Sequence, residues 1–192
     1  MKNDYDVIVI GGGHAGIEAA LACARLHKKT LLLTLSIENI GKMPCNPSVG
    51  GPAKGIVVRE IDALGGQMPI TADATALQFK MLKTAKGPGV QALRVQSDKI
   101  EYKKMMQYVC LHQENLDVRE GMAVELLTEN HAASGVKLAD GSVIHSAAVI
   151  LTAGTYMAAV NMISSEVTPG GPDREKTTDA LSQSLRDLGL KT

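Results

Sequence analysis

Residues 6–16 read DVIVIGGGHAG: an apolar, β-branched run that stops at Gly11, two more glycines, then His14, Ala15 and a fourth glycine at Gly16. An unbroken run of this kind belongs to a strand buried on both faces of a parallel sheet. The next segment, His14 to Leu26, is rich in Ala and Leu and reads as a helix. Thr30 to Leu35 (TLLLTL) reads as a second buried strand. Strand, helix and strand in about thirty residues make a βαβ unit, whose crossover is right-handed.

In that setting Gly11-Gly12-Gly13-His14-Ala15-Gly16 fits G-x-G-x-x-G, the turn that holds a dinucleotide. Gly11 permits the tight turn, Gly13 lets the backbone approach a pyrophosphate, and Gly16 lets the helix pack on the strand. The helix then offers unpaired N–H groups and a partial positive charge to the phosphates. The same fingerprint expects an acid at the end of the second strand to hold the ribose hydroxyls. Here Thr34, Leu35 and Ser36 stand there, and the first acid is Glu38. Either Glu38 reaches back from the loop, or Ser/Thr hydroxyls or water take that place.

Composition narrows the class. A chain of 192 residues suits one domain, or one and a fraction. It carries 20 Lys+Arg against 20 Asp+Glu, so its net charge is zero and no basic tail is present. That argues against the segment as a whole being the main grip on nucleic acid. With one Phe, four Tyr and no Trp, a stacking platform for bases is not expected. Cys23, Cys45 and Cys110 are far apart and the five histidines are scattered, so a reduced, cytoplasmic protein without a structural metal is expected. The apolar run VIVI is too short for a signal sequence or a membrane span.

Further along, helices are expected over Ile56–Leu64, Asp73–Leu82 and Ser97–Glu114, with KGPGVQ between the last two. Met81, Met105 and Met106 fall at helical positions suited to core packing. Strands are expected in LDVRE, AVELLTE and SGVKL, then a turn at Ala139-Asp140-Gly141 before SVIHS. Asp-Gly between alternating apolar residues signals a hairpin. AAVIL (Ala147 to Leu151) is a buried strand ending in Thr152-Ala153-Gly154-Thr155; Val160 to Lys176 reads as irregular and Thr178 to Leu188 as an amphipathic helix. The hairpin followed by a buried strand that stops at T-A-G-T resembles the second half of the FAD-binding domain in two-dinucleotide-binding flavoproteins.

One loop falls outside this scheme. Met43 to Gly55 reads MPCNPSVGGPAKG, with a single thiol between two prolines. Together with DVIVIGGGHAGIEAALA, REIDALGGQM, KTAKGPGVQALRVQSDK and VILTAGTY, it resembles the glucose-inhibited division protein A family, over residues 5 to 156. These are the flavoproteins of 5-carboxymethylaminomethyl modification of the tRNA wobble uridine. The resemblance implies FAD, NADH as reductant, methylenetetrahydrofolate as one-carbon donor, and tRNA and a GTPase as partners. It implies FAD pyrophosphate contacts from Gly11, Gly12, Gly13, His14, Ala15 and Gly16, with Cys45, Asn46, Pro47 and Ser48 along the flavin. Ala123 falls where the family's backbone meets the adenine, Gly154 in the closing turn, and Thr178 on a serine near the cofactor. Lys54, Lys86 and Arg94 would face the active-site cleft.

Two departures stand out: Gln91 replaces an arginine and Val95 a small residue, and the match decays after Tyr156. The family continues beyond Thr192, into an NADH-binding insertion, a second functional cysteine and a helical region that docks tRNA and the GTPase. The expectation is therefore an α/β, Rossmann-type FAD-binding domain over residues 1–156, with a central parallel sheet and an antiparallel hairpin, and the start of a further region over 157–192. Two alternatives stay open: a generic FAD-dependent NAD(P)H oxidoreductase, and a silent flavin-binding or partner-binding piece. A homodimer is one option for its assembly.

Residue by residue, Cys45 is either a small loop residue or a base or nucleophile at the flavin. Its thiolate would need positive charge, and Lys42 and Lys54 are the candidates. Cys23 and Cys110 read as packing residues, and His14 as a residue whose backbone matters more than its ring. Lys80, Lys83 and Lys86, near one helical face and its exit, are either solvated or contacts for tRNA phosphates.

Overall fold

The computed structural model describes residues 4–44, 46–163, 165–170 and 179–191. Cys45 and Thr178, two of the expected site residues, lie outside them. The strands are β1 (Tyr5–Ile10), β2 (Thr30–Thr34), β3 (Ser48–Gly50), β4 (Ala76–Leu82), β5 (Ala92–Ser97), β6 (Leu116–Glu120), β7 (Ala123–Glu129), β8 (Ala132–Leu138), β9 (Val143–Leu151), β10 (Val160–Ile163) and β11 (Glu166–Pro169). The helices are α1 (His14–Arg25), α2 (Lys54–Ala63), α3 (Gln67–Ala74), α4 (Lys99–His112) and α5 (Asp179–Asp187).

Six strands form the main sheet in the order β6-β2-β1-β9-β8-β7. The β6, β2, β1 and β9 strands run parallel, while β8 and β7 are antiparallel additions. Every residue of β2 is buried, because both faces of the sheet are covered at this strand. Side-chain alternation divides the core accordingly. Val9 and Leu32 point towards Ile17 and Leu21 of α1 and Tyr102 and Met106 of α4. Ile8, Ile10, Leu31 and Leu33 point the other way, towards Val136 and Leu138 of β8 and Leu181 of α5. Truncating any of these fully buried aliphatic side chains to Ala would cost about 2–5 kcal/mol.

SVIHS and AAVIL are one strand rather than two, and the AAVIL part, expected to be buried, has Ala147, Ala148 and Leu151 exposed and Val149 and Ile150 half-buried. The first part of β9 pairs antiparallel with β8 (Val136 opposite Ile144), and the rest pairs parallel with β1 (Ile8 opposite Val149).

The helix expected over Asp73–Leu82 is not formed. Instead α3 ends at Ala74, and β4 occupies Ala76–Leu82 in a second, three-stranded antiparallel sheet of order β3-β5-β4. The apolar spacing of ALQFKML suits either period, and a partner strand decides it: Phe79 lies opposite Val95 and Met81 opposite Leu93. Consequently Met81 is an exposed strand residue and not part of the core, whereas Met106 is fully buried as expected. Lys80, Lys83 and Lys86 share no helical face. Val160–Ile163 and Glu166–Pro169, in a stretch expected to be irregular, pair antiparallel as β10 and β11.

The start of α3 is fixed from a distance. Gly66 precedes it and supplies no side-chain cap. Glu18 of α1 does so: its Oε2 accepts from Gln67 N at 3.0 Å and its Oε1 from Met68 N at 2.5 Å. Two turns further along α1, Arg25 donates to the Gly65 carbonyl and to Gln67 Oε1, both at 2.7 Å.

Candidate functional site

At the C-terminal ends of β1, β2, β6 and β9 the chain leaves the sheet in four adjacent loops, the place where open α/β sheets take ligands. The β1 loop is the glycine turn. Gly11 N donates to the Leu33 carbonyl at 2.8 Å, and Thr152, just past β9, donates through N and Oγ1 to the Ile10 carbonyl at 2.9 and 2.8 Å. Those bonds hold the end of β1 between its two neighbours.

Three of the four glycines are required by this packing. Gly11 has φ of +117°, and a Cβ on it would stand 2.5 Å from the Thr152 carbonyl oxygen. A Cβ on Gly12 would stand 2.8 Å from Thr34 Oγ1, and one on Gly16 would run into the Gly11 carbonyl oxygen. Gly13 differs. Its φ is an ordinary −76°, and a Cβ there would meet no heavy atom within 4 Å. Among the described residues nothing needs a glycine at that position, and the space beside it at the helix start is open. α1 begins there with no side-chain cap and no acid in its first turn, so its positive end is uncompensated. These residues fit a bound pyrophosphate.

His14, the first residue of α1, turns its ring inwards against Tyr102 of α4, with centroids 5.7 Å apart. Burial, and then the positive charge of Lys54, pulls its pKa down to about 4, so the ring is neutral at pH 7. Lys54 is itself lowered by burial and donates to the Ser48 carbonyl at 3.2 Å. The Pro47 carbonyl accepts from Ser97 N at 2.8 Å. Among the described residues His14 Nε2, Tyr102 Oη and Ser97 Oγ are buried without a hydrogen-bond partner. The inner face of the glycine turn is thereby linked to the root of the cysteine loop, in which Asn46 is exposed and Pro47 and Ser48 are half-buried. No local signal marks Tyr102 for this place, since it reads as an ordinary apolar position of α4.

Gly154 opens a short 3₁₀ turn with φ of +57°. Ala123 starts β7 and is buried; the preceding Gly121 donates to the Thr34 carbonyl at 2.9 Å, which brings this stretch to the end of β2. Glu38 is exposed after β2. The acid that bonds the segment after β2 is Glu120, which accepts from Ile37 N at 2.7 Å. Lys86 and Arg94 lie in the β4–β5 hairpin of the second sheet, where Arg94 stands opposite Gly50 at the end of β3. An open groove of about 590 Å³ lined by Thr75, Leu77, Glu101, Met105 and Tyr108 shares no residue with the glycine turn. Among the described residues no group of His, Cys, Asp and Glu is placed to hold a metal, and no helix is long and apolar enough to cross a membrane.

Four parallel strands, a βαβ start and a glycine turn at an uncapped helix define a Rossmann-type dinucleotide-binding domain. The chain belongs to the glucose inhibited division protein A family, whose model matches residues 6–192. It is 57% identical over its whole length to the tRNA uridine 5-carboxymethylaminomethyl modification enzyme MnmG of Mycoplasma mycoides subsp. mycoides SC, of which it covers 30%. Among solved structures it resembles GidA from Aquifex aeolicus, with a TM-score of 0.92 and 47% identity, over 96% of this chain and 31% of that one. The GidA-related protein from Thermus thermophilus shares the fold at 19% identity, with a TM-score of 0.71 over 97% of this chain and 69% of that one. The chain thus spans about a third of the length of the curated relatives it matches.

Proposed function

We propose that these residues form the FAD-binding part of a flavoprotein that modifies the wobble uridine of tRNA. The observation that carries the reading is Gly13, a glycine the fold does not need, at the mouth of an uncapped helix. Main-chain N–H groups of Gly11, Gly12, Gly13, His14, Ala15 and Gly16 would hold the pyrophosphate, with Gly154 closing the turn beside them. Ala123 would offer its backbone to the adenine. Asn46, Pro47, Ser48 and Cys45 would line the flavin, and Thr178 would stand near the cofactor. FAD supplies two-electron redox chemistry when bound. Lys54 is positioned to orient the cysteine loop through the Ser48 carbonyl, and a thiolate at Cys45 would serve as base or nucleophile.

In this reading NADH is the reductant, methylenetetrahydrofolate the one-carbon donor, and tRNA the substrate. A GTPase partner, a homodimer and a reduced, cytoplasmic setting belong to it too. Because the chain covers 30% of its relatives, FAD binding without turnover is the activity expected of these residues alone. The test is the visible absorption spectrum of the purified chain, followed by identification of any small molecule released on denaturation. A yellow protein that releases FAD supports the reading. A colourless protein that takes up no added FAD overturns it for this chain.

A further inference from the structure

From Ala74 to Ser97 this electrically neutral chain carries Lys80, Lys83, Lys86 and Arg94 and not one Asp or Glu. The fold turns that stretch into the β4–β5 hairpin, and the register places two of the cations directly opposite each other: Lys80 faces Arg94, which faces Gly50 on β3. The neighbouring row across the same three strands is Gln78, Gln96 and Ser48. All of these lie on the face turned away from the core, since Val49, Leu93 and Val95 take the other side. At these two rows the face is polar and basic, and the next pair along it, Leu82 opposite Ala92, is apolar.

Like charges opposite each other on a ladder disfavour the pairing. A lone lysine on an edge strand is explained by protection against edge-to-edge association. That explanation does not extend to Arg94, which is half-buried on the central strand β5 and among the described residues hydrogen-bonds only to Gln96 Oε1, at 3.0 Å. No ion pair reaches any of the four cations among the described residues. The loop that carries Lys83 and Lys86 is braced: Gln91 Nε2 donates to the carbonyls of Lys86 and Thr84 at 3.0 and 3.5 Å, and Lys86 N donates to Lys83 O at 2.9 Å. Gln91 is thus the residue that shapes this loop. Two cations paired across the ladder, with two more in the braced loop beside them and no ion pair among the described residues, are the electrostatic complement of a run of phosphates.

We propose that the polar face of the β4–β5 hairpin contacts the phosphate backbone of the RNA substrate, with Lys80, Lys86 and Arg94 each meeting a phosphate. This rests on the reading of tRNA as substrate, and it assigns to this segment a contact separate from the dinucleotide turn. Such contacts position the RNA without reading its sequence.

The test is binding of a fluorescein-labelled tRNA anticodon stem-loop with uridine at the wobble position, followed by anisotropy at several KCl concentrations, with bound FAD read from the spectrum of the same samples. Lys80→Gln, Lys86→Gln and Arg94→Gln are compared with the wild type and with Lys28→Gln, which removes a cation at the opposite end of the parallel sheet. Each hairpin variant is expected to weaken binding roughly five- to tenfold at 0.1 M salt and to reduce the salt slope by about 1, and Lys28→Gln to do neither. Arg94 is half-buried, so Lys80→Gln and Lys86→Gln, both at exposed positions, keep the result independent of any effect on folding. Hairpin variants that bind like the wild type, or a Lys28→Gln loss of equal size, would overturn the proposal. So would a wild type that ignores the RNA but binds phosphatidylglycerol vesicles through the same residues. A wild type without FAD whose RNA binding still runs through the hairpin would instead count against the flavin reading alone.

Discussion

Gly11 and Thr152 are packed so closely that a Cβ on the glycine would stand 2.5 Å from the threonine carbonyl oxygen, while the threonine hydroxyl donates to the Ile10 carbonyl at 2.8 Å. The end of β9 thereby sets the shape of the turn after β1, across most of the chain's length. Gly11→Ala must both adopt φ of +117° and displace main chain. It is expected to cost about 3 kcal/mol in urea unfolding, whether or not FAD is present.

Gly13→Ala is the contrasting case. With ordinary φ and open space around it, the variant should unfold within about 0.5 kcal/mol of the parent. Its methyl group would project into the place read as the pyrophosphate site, and FAD retention should fall at least about tenfold, measured by equilibrium dialysis. Equal FAD affinity in the two proteins would remove the pyrophosphate from this position.

Glu18 caps a helix that is not its own, through Gln67 N and Met68 N. Glu18→Ala leaves both N–H groups at the start of α3 without an acceptor and should cost about 1–2 kcal/mol. Glu18→Gln, which keeps one side-chain carbonyl, should recover part of that. Urea midpoints of the three proteins check it.

His14 gives stability a pH dependence of definite sign. Its pKa lies near 4 in the fold, against an ordinary 6.5, because burial and Lys54 disfavour the charged ring. Between those values the unfolded chain binds the proton and the folded one does not, so stability is complete above about pH 6.5 and falls as pH drops towards 4. The loss should amount to about 3 kcal/mol. A His14→Gln variant, measured by chemical unfolding from pH 7.5 to 4.5, should show a shallower fall than the parent.

Cys110 is fully buried on α4, and burial pushes its thiol up to about 12. Under native conditions Cys110→Ala should therefore titrate with the same number of thiols as the parent at pH 8 by a disulfide-exchange reagent. In denaturant it should titrate with one fewer. A native count that already differs by one would show that α4 opens readily.

Much of the fold could be read locally. The apolar runs of β1 and β2, the Ala-rich α1 between them and the Asp-Gly turn after β8 each follow from contiguous residues. The glycine turn was legible for the same reason, because its G-x-G-x-x-G spacing and its place between a strand and a helix are contiguous in sequence. The reading failed where a partner strand lies elsewhere. ALQFKML carries a spacing that satisfies a helix or a strand, and only Leu93 and Val95 across the ladder make it β4. The hairpin β10–β11 likewise depends on pairing between residues without a strong local turn signal. Sequence alone reads Lys80 as solvated or as a contact for tRNA phosphates and, by resemblance, Arg94 as facing the active-site cleft; their pairing is a property of register.

What the sequence determined by itself is the dinucleotide-binding start of the domain and the family. Both are written in short contiguous motifs, and local sterics dictate what a glycine or a buried apolar run can do. What only the tertiary structure decided is which of those glycines the fold needs, which acid caps α3, how His14 comes to be buried against Tyr102, and where the basic hairpin presents its charge. Each of these depends on distances between residues far apart in the chain, such as Gly11 and Thr152 or Glu18 and Met68. Those distances are set by sheet order and helix packing, which no single stretch of sequence contains.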